Sequence, residues 1–342
     1  MNKKGKIGVL LVNLGTPDSP SVPDVRKYLR EFLMDKRVID IPFINRWMLV
    51  NLIIAPLRAP KSAKVYQQLW EDRGSPLMYY GEDVRKAVQD SLGEEYVVSL
   101  AMRYQNPSIQ KGLNDLRERL VSQIIVIPLF PQYASATTGS VMEKVMEIIH
   151  NWENIPSLKF ISNFLEEEKF IETFCRNARK YMEKIKFDHF LFSYHGLPER
   201  QVKKASCGNY CQLNEKCCSV YHQKNQFCYR AQCFQTTRLL VEALNIPEEK
   251  YTVAFQSRLG KDPWIQPYAE DVIKTLAQNG KKKVLAFSPA FVADCLETTV
   301  EVGNEFKEIF EEAGGEHWQL VESLNNHPLW IECLKDMVLK NE

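Results

Sequence analysis

Hydrophobic positions in this chain come in short runs bounded by turn residues, and the runs fall into two groups of four. Ile7–Val12, Tyr96–Met102, Gln123–Phe130 and Leu158–Ile161 make the first group. His189–Tyr194, Tyr251–Phe255, Lys283–Phe287 and Trp318–Glu322 make the second. Each reads as a strand. Between them apolar residues recur at helical spacing, over Val25–Phe32, Lys61–Asp72, Glu82–Ser91, Gln110–Val121 and Ser140–Asn151, then over Glu167–Lys184, Gln235–Ala243, Tyr268–Asn279 and Leu296–Ala313. Strand and helix in alternation predict an α/β protein whose parallel sheets carry helices on both faces.

The two groups also echo each other. VNLGTP (Val12–Pro17) matches SYHGLP (Ser193–Pro198). PLFPQYASATT (Pro128–Thr138) lines up with PAFVADCLETT (Pro289–Thr299), sharing the Pro, the Phe two residues on and the Thr-Thr pair. Duplication predicts two similar lobes with a cleft between them, faced by the ends of these strand segments. At 342 residues the chain is long for one core and comfortable for two lobes. Its net charge of +1 argues against a general nucleic-acid binder. Met1–Lys6 leads straight into a strand, with no apolar leader. The longest apolar stretch, Trp47–Leu57, is broken by Asn51 and Pro56 and is too short to span a bilayer. These features predict a cytoplasmic protein, at most peripheral to the inner membrane.

Candidate chemistry gathers at strand ends, where parallel sheets handle ligands. FLFSYHGLPER (Phe190–Arg200) carries a strand into a Gly-Leu-Pro turn with His195 at the junction. An imidazole there can move protons near neutral pH or bind a metal. The strand Lys283–Phe287 runs into a helical pattern in which Asp294, Glu297, Glu301, Glu305 and Glu308 share one face. The later acids gain nothing from the helix dipole, so a cation or a proton relay gives the stripe a reason. Arg103-Tyr104 sets a cation and a phenol where an anionic ligand could dock, and Gln132, Ser135, Thr137 and Thr138 offer amides and hydroxyls at a helix start. Phe43–Lys61 is amphipathic, with Trp47, Met48, Leu52, Ile53 and Ile54 flanked by Arg46, Arg58 and Lys61. It suits a lip over a flat apolar ligand or shallow contact with a membrane surface. Of nine cysteines, six lie in one segment: Cys207, Cys211, Cys217, Cys218, Cys228 and Cys233. Such density suits zinc or an Fe–S cluster, either of which needs four thiolates, but the spacing does not select the four. Cys175 and Cys333 read as core.

GVLLVNLGTPDSP, GSPL, RYQNP, PQYASATTGS, FSYHGLPER, FQSRLG, PAFVADCLETTVE and ESLNNHP, in this order over nearly the whole chain, resemble the ferrochelatases. The resemblance implies two Rossmann-like lobes, each with a four-stranded parallel sheet: an N-terminal lobe over 1–160 with a hydrophobic lip at 43–61, and a C-terminal lobe over 161–325 with the Cys-rich insert at 207–233. A final helix over 326–342 would cross back to the first lobe. It implies a lyase that inserts Fe2+ into protoporphyrin IX to form protoheme, releasing two protons. A coproporphyrin ferrochelatase, a porphyrin or heme carrier and an Fe–S sensor on the same scaffold are the alternatives. The family's catalytic histidine falls on His195 and its glutamate on Glu297, with Asp294 and Glu301 completing a line for the iron substrate. Leu14, Ser75, Arg103 and Tyr104 fall at porphyrin-contacting positions. The Cys-rich block resembles a bacterial variant whose [2Fe–2S] cluster has only internal ligands, here Cys211, Cys218, Cys228 and Cys233. Animal members often carry a histidine where this chain has Cys295.

Overall fold

The structure, a computed structural model, describes residues 5–258, 260 and 262–342, without the side chains of Asn209 and Glu215. Met1–Lys4, and Leu259 of the FQSRLG motif, lie outside the described residues. Among the described residues there are eight strands: β1 Ile7–Asn13, β2 Tyr96–Met102, β3 Gln123–Pro128, β4 Ser157–Phe160, β5 His189–His195, β6 Tyr251–Gln256, β7 Lys283–Phe287 and β8 His317–Leu320. They form two four-stranded sheets with the same order, β2-β1-β3-β4 and β6-β5-β7-β8. Every pairing is parallel. The two groups of four and the α/β fold class are as the hydrophobic pattern predicts, and the shared order carries the duplication into topology.

Each sheet has its own core. Leu10, Val12, Leu113, Ile124, Val126, Val141 and Val145 pack in the first. Leu191, Ile273, Val284, Phe306, Phe310 and Trp318 pack in the second. Burying each of these side chains stabilises by about 1.5–3 kcal/mol, enough to fix which face of each helix turns inward. Two glycines set the strand-end turns. Gly15 has φ +120°, and a Cβ there would stand 2.1 Å from the Tyr104 carbonyl oxygen. At Gly196 a Cβ would stand 2.8 Å from the Gln256 carbonyl oxygen. In both copies the turn runs too close to its neighbour for any side chain.

The chain divides into two compact units that are not contiguous in sequence. One holds the chain up to Phe130, Ser135–Asn163 and Trp330–Glu342; the other holds Pro131–Ala134 and Phe164–Leu329. The helix Glu168–Met182 follows β4 yet belongs to the second unit, and most of the helix Pro328–Leu339 follows β8 yet belongs to the first. Gln123 Nε2 donates to the Asn341 carbonyl at 3.0 Å, tying that end of the chain to the start of β3.

The main departures from the predicted helices are π-helical turns. Leu296–Ala313 is a π-helix over Leu296–Glu305 followed by an α-helix over Phe306–Glu312. A π-helix also spans Ser135–Gly139, beginning at the residue that aligns with Leu296 in the internal repeat. The lip contains a third, Leu49–Ile54, between the helices Phe43–Met48 and Ala55–Leu69. Phe43, Ile44, Leu52, Ile53 and Leu57 are exposed on it. Among the described residues no helix is long and apolar enough to cross a membrane.

Candidate functional site

The second unit brings together three of the residues singled out in the sequence. His195 is the last residue of β5 and is half-buried. Its Nδ1 lies 2.7 Å from the Gly196 carbonyl oxygen, an acceptor, so Nδ1 carries a proton, and in the neutral ring the lone pair lies on Nε2. Glu301, just past the middle of the π-helix, accepts from Ser257 Oγ at 2.6 Å and from Gln256 Nε2 at 2.9 Å. Burial pushes its carboxyl above the usual range; Ser257 and the nearby His195 pull it down, and the neighbouring Glu297 pushes it further up. An imidazole and two carboxylates thus share one electrostatic neighbourhood, and one of the acids holds its proton more tightly than an ordinary glutamate.

Gln256 organises this neighbourhood. It is buried, its Nε2 also donates to the Glu297 carbonyl at 3.0 Å, and its Oε1 accepts from Ser193 Oγ at 2.6 Å. Ser257 sits at φ +64°, a left-handed conformation costing a β-carbon residue on the order of 1–3 kcal/mol, and this backbone turn aims its hydroxyl at Glu301. Gln256, Ser257 and Tyr229, whose hydroxyl donates to the His195 carbonyl at 2.9 Å, were not among the residues the sequence pointed to individually. The signal for the first two was the FQSRLG motif at a strand end; Tyr229 had none beyond its place beside Cys228.

Asp294 goes elsewhere. Its carboxylate accepts from the Ser323 amide at 3.1 Å and from Asn325 Nδ2 at 2.7 Å, bracing the loop after β8. Glu305 is exposed. Cys295 is buried at the start of the π-helix, where its amide donates to Thr298 Oγ1 at 2.9 Å.

In the first unit, Arg103 is not an open cation. Its Nη2 lies 2.7 Å from Asp35 Oδ2 and its Nε 2.6 Å from Ser140 Oγ. Tyr104 is wholly buried and its hydroxyl donates to the same carboxylate at 2.9 Å, so this phenol braces the pair and presents nothing to a ligand. Asp35 is held below the usual carboxylate range: burial opposes ionisation, and the bonds from Ser140, the Arg37 amide and Arg103 outweigh it. Ser75 is buried and accepts from Thr16 Oγ1 at 2.9 Å, while Leu14, the residue after β1, is half-buried.

The cysteines form a chain of contacts. Cys228 hydrogen-bonds both Cys211 and Cys218, and these bonds lower each of those two thiols to about 6, with the Arg230 guanidinium 3.2 Å from Cys218 Sγ assisting. Cys217 Sγ is 3.9 Å from Cys218 Sγ. Cys207, Cys211, Cys217 and Cys228 line one small hollow with Tyr210 and Phe227. Cys233 is fully buried, in hydrogen-bond contact with the Tyr229 hydroxyl and near enough to Cys218 to feel its charge. The donor chemistry fits a thiolate-bound group, because two of the sulfurs ionise readily. Among the described residues no three such side chains are arranged to hold a single metal ion.

Two like-ordered parallel sheets, with an imidazole and paired carboxylates at a strand end, define a protein of the chelatase fold. SirB from Bacillus subtilis with Fe3+ matches with a TM-score of 0.56 at 11% identity, over 98% of this chain and 95% of that one. The sirohydrochlorin chelatase SirB from Bacillus subtilis subspecies spizizenii in complex with cobalt matches at 0.54 and 10%, over 98% of this chain and 94% of that one. At such identities the likeness is one of fold. A family model described as ferrochelatase matches residues 6–342. The chain is 46% identical over 331 residues to a ferrochelatase of Legionella pneumophila (strain Paris), covering 97% of this chain and 98% of that one. It is 43% identical over 341 residues to a ferrochelatase of Coxiella burnetii (strain Dugway 5J108-111), covering 100% and 95%. The chain belongs to the ferrochelatase family, and with it to the porphyrin metal chelatases, which are lyases.

Proposed function

We propose that this chain inserts Fe2+ into protoporphyrin IX to form protoheme, with His195 as the first proton acceptor and Glu297 and Glu301 serving iron and the second proton. The observation that carries the assignment of roles is the Gln256–Ser257 clamp, which holds Glu301 in the field of His195. Metallation requires two pyrrole protons to leave while the ion sheds water. The Nε2 lone pair of the neutral ring can take the first, and a carboxylate of raised proton affinity can take the second. Glu297, on the same π-helix and half-buried, is suited to meet the incoming cation. Leu14, Ser75 and Arg103 stay as the porphyrin-side set that the family resemblance implies, with Arg103 acting as part of its Asp35 pair. The exposed apolar lip suits a flat macrocycle or a membrane surface.

Anaerobic incubation with protoporphyrin IX and Fe2+, following porphyrin fluorescence and heme absorbance, tests the activity. His195→Ala should abolish turnover while porphyrin binding, read by fluorescence titration, stays within about threefold of the parent. Loss of binding with unchanged turnover per bound porphyrin would remove His195 from the chemistry. Coproporphyrin III in the same assay decides the preferred macrocycle.

We further propose that the cysteine segment holds a [2Fe–2S] cluster through Cys211, Cys218 and Cys228, with Cys217 as the fourth ligand in place of Cys233. Support comes from the contacts among the first four thiols and from the position of Cys233 against Tyr229. Such a cluster would supply one-electron redox chemistry or a structural clasp. Visible absorbance and EPR of the reduced protein should survive Cys233→Ser and be lost in Cys211→Ser; the reverse pattern would restore Cys233 as a ligand.

A further inference from the structure

We propose that Tyr229 is a positioning residue for metal insertion: by holding the His195 carbonyl, its hydroxyl fixes the direction in which the imidazole presents Nε2. The inference rests on the reading of His195 as proton acceptor. The peptide unit joining His195 to Gly196 is gripped at both ends. Its carbonyl accepts from Tyr229 Oη at 2.9 Å and its N–H donates to the Gln256 carbonyl at 2.8 Å. The imidazole then folds back onto the next carbonyl, with Nδ1 2.7 Å from the Gly196 oxygen. Rotation of that one peptide would displace the acceptor that orients the ring, and Nε2 would swing with it.

The turn needs an outside grip because it cannot hold itself. Gly196 has no side chain, and the close Gln256 carbonyl forbids one. The grip comes from a well-anchored point. Tyr229 opens the helix Tyr229–Ala243 and is 8% exposed. The residue before it is held on both sides: the Cys228 amide donates to the Asn225 carbonyl at 2.8 Å, and the Cys228 carbonyl accepts from the Gln232 amide at 3.0 Å. A buried phenol hydroxyl is costly unless bonded, and this one is bonded to the His195 carbonyl and touches Cys233 besides; an aromatic placed only to fill space would be served equally well by Phe.

Tyr229→Phe keeps the ring and removes only the hydroxyl. In the protein as purified, kcat should fall about tenfold while KM and the fluorescence-titration affinity for protoporphyrin IX stay within about twofold. The melting transition should be retained. In 15N-histidine spectra of this six-histidine chain, the His195 ring resonances, assigned by their loss in His195→Ala, should shift or broaden in Tyr229→Phe. Unchanged kcat together with unchanged His195 resonances would overturn the proposal. So would a fall in kcat matched by lost porphyrin affinity and a lowered melting temperature, which would mark Tyr229 as merely structural. A parent protein that binds porphyrin without turnover would instead overturn the chelatase reading, while the ring resonances would still report the positioning.

Discussion

β5 carries a histidine at each end, and the two are held in opposite ways. His195 has its Nδ1 on the Gly196 carbonyl and remains partly open. His189 is 4% exposed, its Nε2 pairs with Thr252 Oγ1 at 2.9 Å, and its Nδ1 is buried with no partner. Burial, with the nearby Lys281 charge adding to it, lowers its pKa to about 4 from an ordinary 6.5. A histidine depressed in the folded state takes up its proton preferentially when the chain unfolds. Stability is therefore intact above pH 6.5 and drains as pH falls toward 4, by on the order of 3 kcal/mol in full. Urea denaturation at pH 7 and pH 5 should show this loss in the parent and a smaller loss in His189→Gln. Equal slopes would mean that other groups carry the acid sensitivity. Single residues were unevenly legible in the sequence. His195 stood out because it lies in the FSYHGLPER motif of the family resemblance, whereas a lone strand-end histidine reads equally as a core or turn residue. Asp294 looked like a member of the acidic stripe, yet it braces the Ser323–Asn325 loop, because helical spacing says nothing about the partners that loops bring in.

At the scale of elements, the boundaries of the strands were readable to within a few residues, since parallel strands buried on both faces are apolar almost end to end. The π-helix was not readable. Composition and period do not distinguish an α-turn from a wider one, and the latter survives where tertiary donors meet its carbonyls. Here Gln256 Nε2 reaches the Glu297 carbonyl and Trp318 Nε1 reaches the Val302 carbonyl at 2.8 Å. Deleting Thr299, an exposed residue of this stretch, should let the segment relax to an α-helix and turn Glu301 away by about 100° relative to Glu297. Turnover should drop by at least about a hundredfold with porphyrin affinity retained. Near-wild-type turnover would show that the wide turn does not aim the carboxylates.

The whole molecule is built by exchange: the helix after each sheet serves the other unit. Duplication was legible as paired motifs, and the family resemblance implied that the last helix crosses back; the opposite crossing of Glu168–Met182 was not legible, because a helix's apolar face does not announce which core receives it. Trp330, Cys333, Leu334, Met337 and Val338 are all buried. At about 1.5–3 kcal/mol each, their removal forfeits as much as a domain's usual net stability. Truncation before Trp330 should leave the first unit without a cooperative melting transition, as a loss of near-ultraviolet dichroism from that unit would show. A truncated chain that still melts sharply at the parent temperature would mean that the helix is dispensable.

That exchange also imposes an order on synthesis. The segment that completes the first unit, Trp330–Glu342, leaves the ribosome only after every residue of the second. The first sheet, whose strands emerge earliest, must therefore wait with part of its apolar surface uncovered while Phe164–Leu329 is being translated. For the nascent chain, folding from the N-terminus can begin the first unit but cannot finish it. The hazard of this arrangement is aggregation during that interval, and its safeguard is whatever keeps the waiting sheet covered until translation reaches the last helix.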